Sequence, residues 1–493
     1  MTACPTVAGL AAVDGRRAVD LWLLAIAAAY MVAALVGLPL YGDGAYYWFK
    51  LTADERFVVP NLRVGALLPQ LPGMLAGRFT DDPVLLRHAF SLGYVALPML
   101  SLAACWLIVR RAAPALLVFP LLWLTVHQIN FSGVSELLTS AHLAWPFVLA
   151  AALWPARRAV RLYGWLLGAL LVVLHPLTFI PALGLAALAA WLGWRAPRAA
   201  RVRQPGATAL RWAWLELAAW LAATGLLRLG WTLVGANRYE RSNLSGDAAA
   251  HYLLLSTLAQ ELLLAAAVLT GLLAVLLLLR PGGARRPSVA SLTGVQRVLL
   301  AVMLALACWV GGEFLFGHGI KLKAALTFVA GLGLMVLAAV TARVLRAPAE
   351  ATASGAAPVP AGPVRVPVTW LAGPAAVVLI LLTAKSAAWW LATNELGRIV
   401  AEADSACIAR TEQAPPSLQW RWMRVLDEWP VGLNALAFRP HAPAAPEVSL
   451  LLPNDGCEIL AATGDARLQS WIVRPWTQLD ARFGPLRRLP GWD

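Results

Sequence analysis

Runs of about 20 apolar residues, the length that crosses a bilayer, recur along this chain and constrain its fold more than any other feature. A bilayer leaves no water to satisfy a peptide group, so a crossing segment closes its hydrogen bonds internally, as a helix. The runs fall at 21–40, 88–109, 114–129, 137–154, 210–234, 258–279, 298–316, 324–344 and 368–391. A further run, 162–194, is too long for one span. His175-Pro176 lies inside it and disfavours a continuous helix, so it reads as a hairpin of two short or broken helices. The fold class is therefore an all-α polytopic membrane protein with about 11 transmembrane helices. Only 13% of residues are charged, against about 25% in soluble proteins.

A net charge of +14 would point to nucleic acid in a soluble domain. Here the arginines sit in short groups between apolar runs, at 16–17, 110–111, 157–161, 195–203 and 280–286. That is the pattern of positively charged cytoplasmic loops, so nucleic acid is excluded as a partner and membrane lipids take its place. The N-terminus is expected in the cytoplasm, and 21–40 reads as a retained span, because it is longer than a signal-peptide core and lacks a clear cleavage pattern. An odd number of spans then puts the polar tail outside. Two domains follow: a transmembrane domain, 1–391, and a small soluble domain, 392–493, of α+β type. Of five cysteines, Cys407 and Cys457 share that tail and are expected to form a disulfide, which requires an oxidising compartment. No internal repeat is evident, which weighs against the plan of many transporters.

The first polar stretch after the first run, 41–63, carries Asp43, Asp54, Glu55, Lys50, Arg56, Arg63, Tyr46, Tyr47 and Trp48. Acids at a membrane rim are costly unless solvated, paired or used. Asp43 lies where a lipid-linked phosphate and a water-soluble acceptor both reach it, and suits a general base; between Gly42 and Gly44 it equally suits the N-cap of a helix beginning at Ala45. Segments 45–59 and 64–79 read as interfacial helices. Asp54 and Glu55 suit a divalent cation or an acceptor, or pairing with Lys50, Arg56 or Arg63. Arg63, Arg238, Arg241, Lys321 and Lys323 belong to three outer loops and suit a phosphate head group, with His318 beside the last pair; the alternative is snorkelling to lipid. Glu136, His127, His142, His175, Glu261 and Glu313 lie in or near spans, as site residues or as helix-to-helix hydrogen bonds. Trp420, Trp422 and Trp429 suit stacking on sugar or packing of the tail. No P-loop, dinucleotide fingerprint, HExxH or paired CxxC occurs.

An acid just after the first span, Asp43 in YGDGAYYWF, a long first outer loop with interfacial segments, about eleven uneven spans and a soluble domain after the last one together resemble the glycosyltransferase C superfamily. Members commonly show paired acids at that point, whereas here Asp43 stands alone and Asp54-Glu55 is displaced. The resemblance implies an inverting transfer of sugar from a polyprenyl-phosphate donor to a glycan, lipid or protein acceptor. Asp43 would be the base, and Tyr46, Tyr47, Asp54, Glu55, Arg63, Arg238, Arg241, Glu313, His318, Lys321 and Lys323 would be substrate-binding. No cofactor is required, and a divalent cation is left open. The setting implied is the extracytoplasmic face of a bacterial inner membrane. The other functional classes are a flippase for lipid-linked glycans and a non-catalytic assembly protein of similar fold.

Overall fold

The computed structural model of the chain describes residues 7–59, 63–131, 134–195, 205–235, 257–278, 289–316, 324–352, 369–409, 425–426, 429–440 and 447–488. Among them, nine helices are long and apolar enough to cross a membrane. The helices, in order, are α1 (Val7–Leu35), α2 (Asp43–Ala53), α3 (Leu67–Ala76), α4 (Pro83–Val109), α5 (Val118–Ile129), α6 (Glu136–Leu153), α7 (Arg158–Leu174), α8 (Phe179–Arg195), α9 (Pro205–Val234), α10 (Leu258–Leu278), α11 (Val289–Leu315), α12 (Ala324–Thr352) and α13 (Thr369–Glu402). The spanning set is α1, α4, α6 and α8 to α13.

Large apolar side chains stand exposed on the outside of this bundle, among them Leu21, Leu24, Leu100, Leu276, Val298 and Val336. A soluble protein does not carry so much bare apolar surface, whereas lipid solvates it. The chain is an integral membrane protein. Its centre is the pair α5 and α6: every residue of α5 is buried, and α6 is buried over nearly its whole length. A helix apolar all round is encased by others. Encasement also explains why α5, with the 3-10 turn Pro114–Leu117 before it, is shorter than a lipid-facing span. The expected hairpin in 162–194 is present as α7 and α8, which part at His175 and the 3-10 turn Pro176–Thr178.

Boundaries shift where backbone chemistry overrides hydropathy. The first helix stops at Leu35, short of 40, because Gly37 turns into the left-handed region at φ 69° and Leu38–Leu40 closes a 3-10 turn. Helices form in the two segments expected to be interfacial but end earlier, α2 at Ala53 and α3 at Ala76. The boundary expected at 392 falls inside α13, which continues as one helix to Glu402.

The tail folds around short elements. Strand β1 (Cys407–Ala409) pairs in parallel with β2 (Leu450–Leu452), and β3 (Asp465–Gln469) pairs antiparallel with β4 (Ile472–Pro475) across a turn at Ser470 and Trp471. The expected disulfide Cys407–Cys457 ties β1 to helix Gly456–Thr463. The tail docks on the loop between α1 and α4. Phe483 stacks on Phe49 and meets Trp48. Arg474 binds both carboxylate oxygens of Asp54 at 2.9 Å, and Arg482 donates to the Thr52 carbonyl and to Asp81. From the bundle side, the Arg87 guanidinium lies over the Phe438 ring and donates to the Ala437 carbonyl at 2.7 Å.

Candidate functional site

The sequence Gly42-Asp43-Gly44 is shaped by its backbone. Gly42 adopts φ 60°, ψ −127°, a region open only to glycine, and precedes the first turn of α2. At Gly44 an added Cβ would lie 1.7 Å from the Pro39 carbonyl oxygen, so the helix starts pressed against the preceding turn. Asp43 is thereby fixed as the first residue of α2, exposed at the rim, where the positive end of the helix dipole favours its carboxylate. Of the two roles open to Asp43, the N-cap belongs to Gly42 instead, and the helix begins two residues before Ala45.

One turn further along α2, Tyr47 points into the bundle and donates to Glu136 Oε1 at 2.8 Å. Glu136 opens α6 and is buried; its other oxygen lies 3.5 Å from Arg63 Nη1. Burial, followed by the charges of Glu136 and Asp43, drives the Tyr47 hydroxyl well above its ordinary range, so it stays a proton donor. The charge of Asp43 also reaches Tyr94 on α4. Arg63 acts on the ring of His175, at the break between α7 and α8. There Arg228 donates from Nε to the His175 carbonyl and from Nη1 to the Val172 carbonyl. A cation so placed satisfies the carbonyls that the end of α7 leaves open. Tyr47, Glu136 and Arg63 therefore form a polar seam between the loop and the bundle, with Asp43 one helical turn before Tyr47 on α2.

Behind it lies a cavity of ≈ 20 Å³, lined by Tyr94, His127, Ser135, Thr139 and His142 among others. That is room for about one water. The rings of His127 and His142 meet edge to face at 5.0 Å. Gln128 Nε2 lies 2.9 Å from His127 Nδ1 and donates to the Tyr30 hydroxyl at 2.6 Å. Lys385, buried on α13, donates to the Asn130 carbonyl at 3.3 Å.

Other expected site residues go elsewhere. Tyr46 turns away from Glu136 toward Trp429, 6.3 Å between ring centroids. Asp54 pairs with Lys50 at 2.7 Å, one of the pairings expected, and with Arg474, a partner 420 residues away. Burial alone would push Asp54 up; Lys50 and Arg474 outweigh it and hold the carboxyl below its usual range. Glu55 is exposed, at φ 52°, and 3.8 Å from Arg482 rather than paired within the loop. A metal at Asp54 and Glu55 would have to displace these cations, and among the described residues no cluster of three or more His, Cys, Asp or Glu is arranged to hold one. Glu313 accepts from the Thr257 hydroxyl at 2.7 Å, apart from the seam. Glu261 is exposed in the first turn of α10. Arg238, Arg241, His318, Lys321 and Lys323, with Trp420 and Trp422, lie outside the described residues.

Several members of these networks were not singled out by the sequence, among them Lys385, Arg228 and Tyr94. Lys385 carried a plain signal, a lone cation in an apolar run. Arg228 shared the run 210–234 with Arg211 and Glu216 and stood out less, while Tyr94 carried no signal. No family model, curated protein or solved structure matches this chain.

Proposed function

We propose that this chain is a membrane glycosyltransferase of the glycosyltransferase C type. In this reading it moves a sugar from a polyprenyl-phosphate donor to an acceptor hydroxyl at the extracytoplasmic face of a bacterial inner membrane, with an inward N-terminus. The observation that carries the reading is the seam: an exposed carboxylate, Asp43, held at a helix start, with the buried Tyr47–Glu136–Arg63 chain bonded beneath it.

The proposed step is an inverting displacement. The acceptor oxygen forms a bond to the anomeric carbon while the bond from that carbon to the phosphate oxygen breaks. The acceptor proton passes to Asp43, and polyprenyl phosphate leaves with the electron pair. A guanidinium binds phosphate through paired donors, so Arg63 is assigned to the departing phosphate. Tyr47, whose one proton goes to Glu136, holds that carboxylate in place beneath Asp43. No metal is needed in this scheme.

The test uses the full chain in proteoliposomes with radiolabelled polyprenyl-phosphate hexose and pentose donors and an envelope-glycan extract as acceptor. Asp43→Asn is expected to cut transfer by at least about a hundredfold, in line with loss of a general base, with folding and the disulfide intact. Unchanged transfer in Asp43→Asn would move the base elsewhere. No transfer with any donor by the unaltered chain would favour an assembly protein, and movement of donor across the bilayer without transfer would favour a flippase.

A further inference from the structure

The β3–β4 hairpin turns at Ser470-Trp471, where a tight two-residue turn ordinarily calls for Asn, Asp or Gly. Trp471 is 64% exposed there. The largest apolar side chain in the repertoire thus stands at a loop tip where it buries little of the fold. It is not isolated. Its ring lies 6.0 Å from that of the half-buried Trp429 at an interplanar angle of 34°, and Trp429 lies 6.3 Å from Tyr46. The three rings form a row from the hairpin tip to α2, ending one helical turn from Asp43.

Polar contacts hold the three rings together from both sides. Arg474 of β4 grips Asp54 at the end of α2, which fixes the hairpin over the loop. The Gln469 side chain donates to the Trp429 carbonyl, which ties the middle ring to β3. The Tyr46 hydroxyl feels the charges of both Asp54 and Arg474. An edge of carboxylate, guanidinium and ammonium (Lys50) therefore runs beside a line of aromatic faces. Aromatic faces take the C–H face of a pyranose, and charged or amide groups at the ring edge take its hydroxyls. Lys50 and Arg474 balance the carboxylates Asp43 and Asp54 near the row, so the edge carries no net positive charge to draw an anionic bilayer surface and suits neutral hydroxyls.

We propose that Tyr46, Trp429 and Trp471 form a stacking platform for an acceptor glycan, which enters along the row and presents its terminal hydroxyl to Asp43; the acceptor role rests on the glycosyltransferase reading above. The occupant is a linear oligosaccharide of several units, since the row is longer than one sugar ring. Tyr46 takes the unit nearest the reacting hydroxyl, and Trp471 takes one further from it.

The experiment titrates the purified full chain in nanodiscs with soluble tetra- to hexasaccharides of glucose, mannose, galactose, arabinose and N-acetylglucosamine, read by saturation-transfer NMR. At least one is expected to bind. Trp471→Ala should weaken that binding about tenfold and Trp471→Phe should retain most of it, the scale of one aromatic contact. Because Trp471 is exposed at a turn, thermal unfolding should show both variants folded. Asp43→Asn should bind the oligosaccharide as the unaltered chain does while losing transfer. No binding by any oligosaccharide, or equal binding by Trp471→Ala, overturns the platform. Intact transfer in Asp43→Asn alongside Trp471-dependent binding would sink the assignment of the base and leave the platform standing.

Discussion

Glu136 occupies a position where one substitution separates electrostatics from packing. It is buried at the first turn of α6, with Tyr47 on one oxygen and Arg63 on the other. Removing one partner of a buried pair strands the other charge, at a cost of about 3–5 kcal/mol. Glu136→Ala is therefore expected to destabilise the chain by roughly 3 kcal/mol; Glu136→Gln, which keeps an acceptor for Tyr47, should recover part of that loss. Thermal unfolding in detergent checks both. Tyr47→Phe removes only a donor and should cost about 1–2 kcal/mol. At this scale, residue types were more legible than partners. Sequence singled out Asp43, Tyr47, Arg63 and Glu136 because acids and cations at a membrane rim require an account, and these four do lie together. It could not tell that Tyr46 and Tyr47, adjacent in the chain, face different neighbours, since that depends on which side of α2 meets α6.

For the elements, the start of α2 and the disulfide make separate predictions. Gly44→Ala drives a methyl into the Pro39 carbonyl at 1.7 Å, contact that backbone movement alone relieves. It should displace Asp43 and remove transfer, with a smaller effect on the rest of the bundle; hydrogen exchange confined to 36–53 would show this. The Cys407–Cys457 bond closes a loop of 50 residues, so its removal by Cys407→Ser with Cys457→Ser is expected to cost about 4 kcal/mol, read as a lower melting temperature. Spans were legible because hydrocarbon selects for apolar length with few exceptions, and even the break at His175-Pro176 showed in the sequence. Hydropathy misjudged ends. A glycine at φ 69° stops α1 at Leu35 while the apolar run continues, and α13 outlasts its apolar run as a polar helix to Glu402.

Across the whole molecule, the tail and the first polar loop act as one body, joined by contacts that no local pattern announces. Asp54 and Arg474 are 420 residues apart, and the loop alone offered Lys50, Arg56 and Arg63 as nearer partners. The joint is pH-dependent, and its sign follows from Asp54. Lys50 and Arg474 favour the carboxylate in the folded state, so its folded value lies below the unfolded one, about 3.9. Stability from this contact is complete above the unfolded value and is lost as pH falls through the folded value. Docking is thus expected to be constant from neutral pH to about 5 and to loosen below about 4. Limited proteolysis of the full chain across that range measures it as release of the tail, with Asp54→Asn reducing the response. Arg482 bridges the same joint through the Thr52 carbonyl, which does not titrate, and through the carboxylates of Asp81 and Glu55. Arg474→Ala should therefore reduce the acid sensitivity and leave the tail attached, while Arg474→Ala with Arg482→Ala should loosen it further. Cleavage of the single variant at the rate of the double variant would show that Arg482 contributes nothing, and the joint would then rest on the Asp54–Arg474 pair, the Phe483 stack and the Arg87–Phe438 contact.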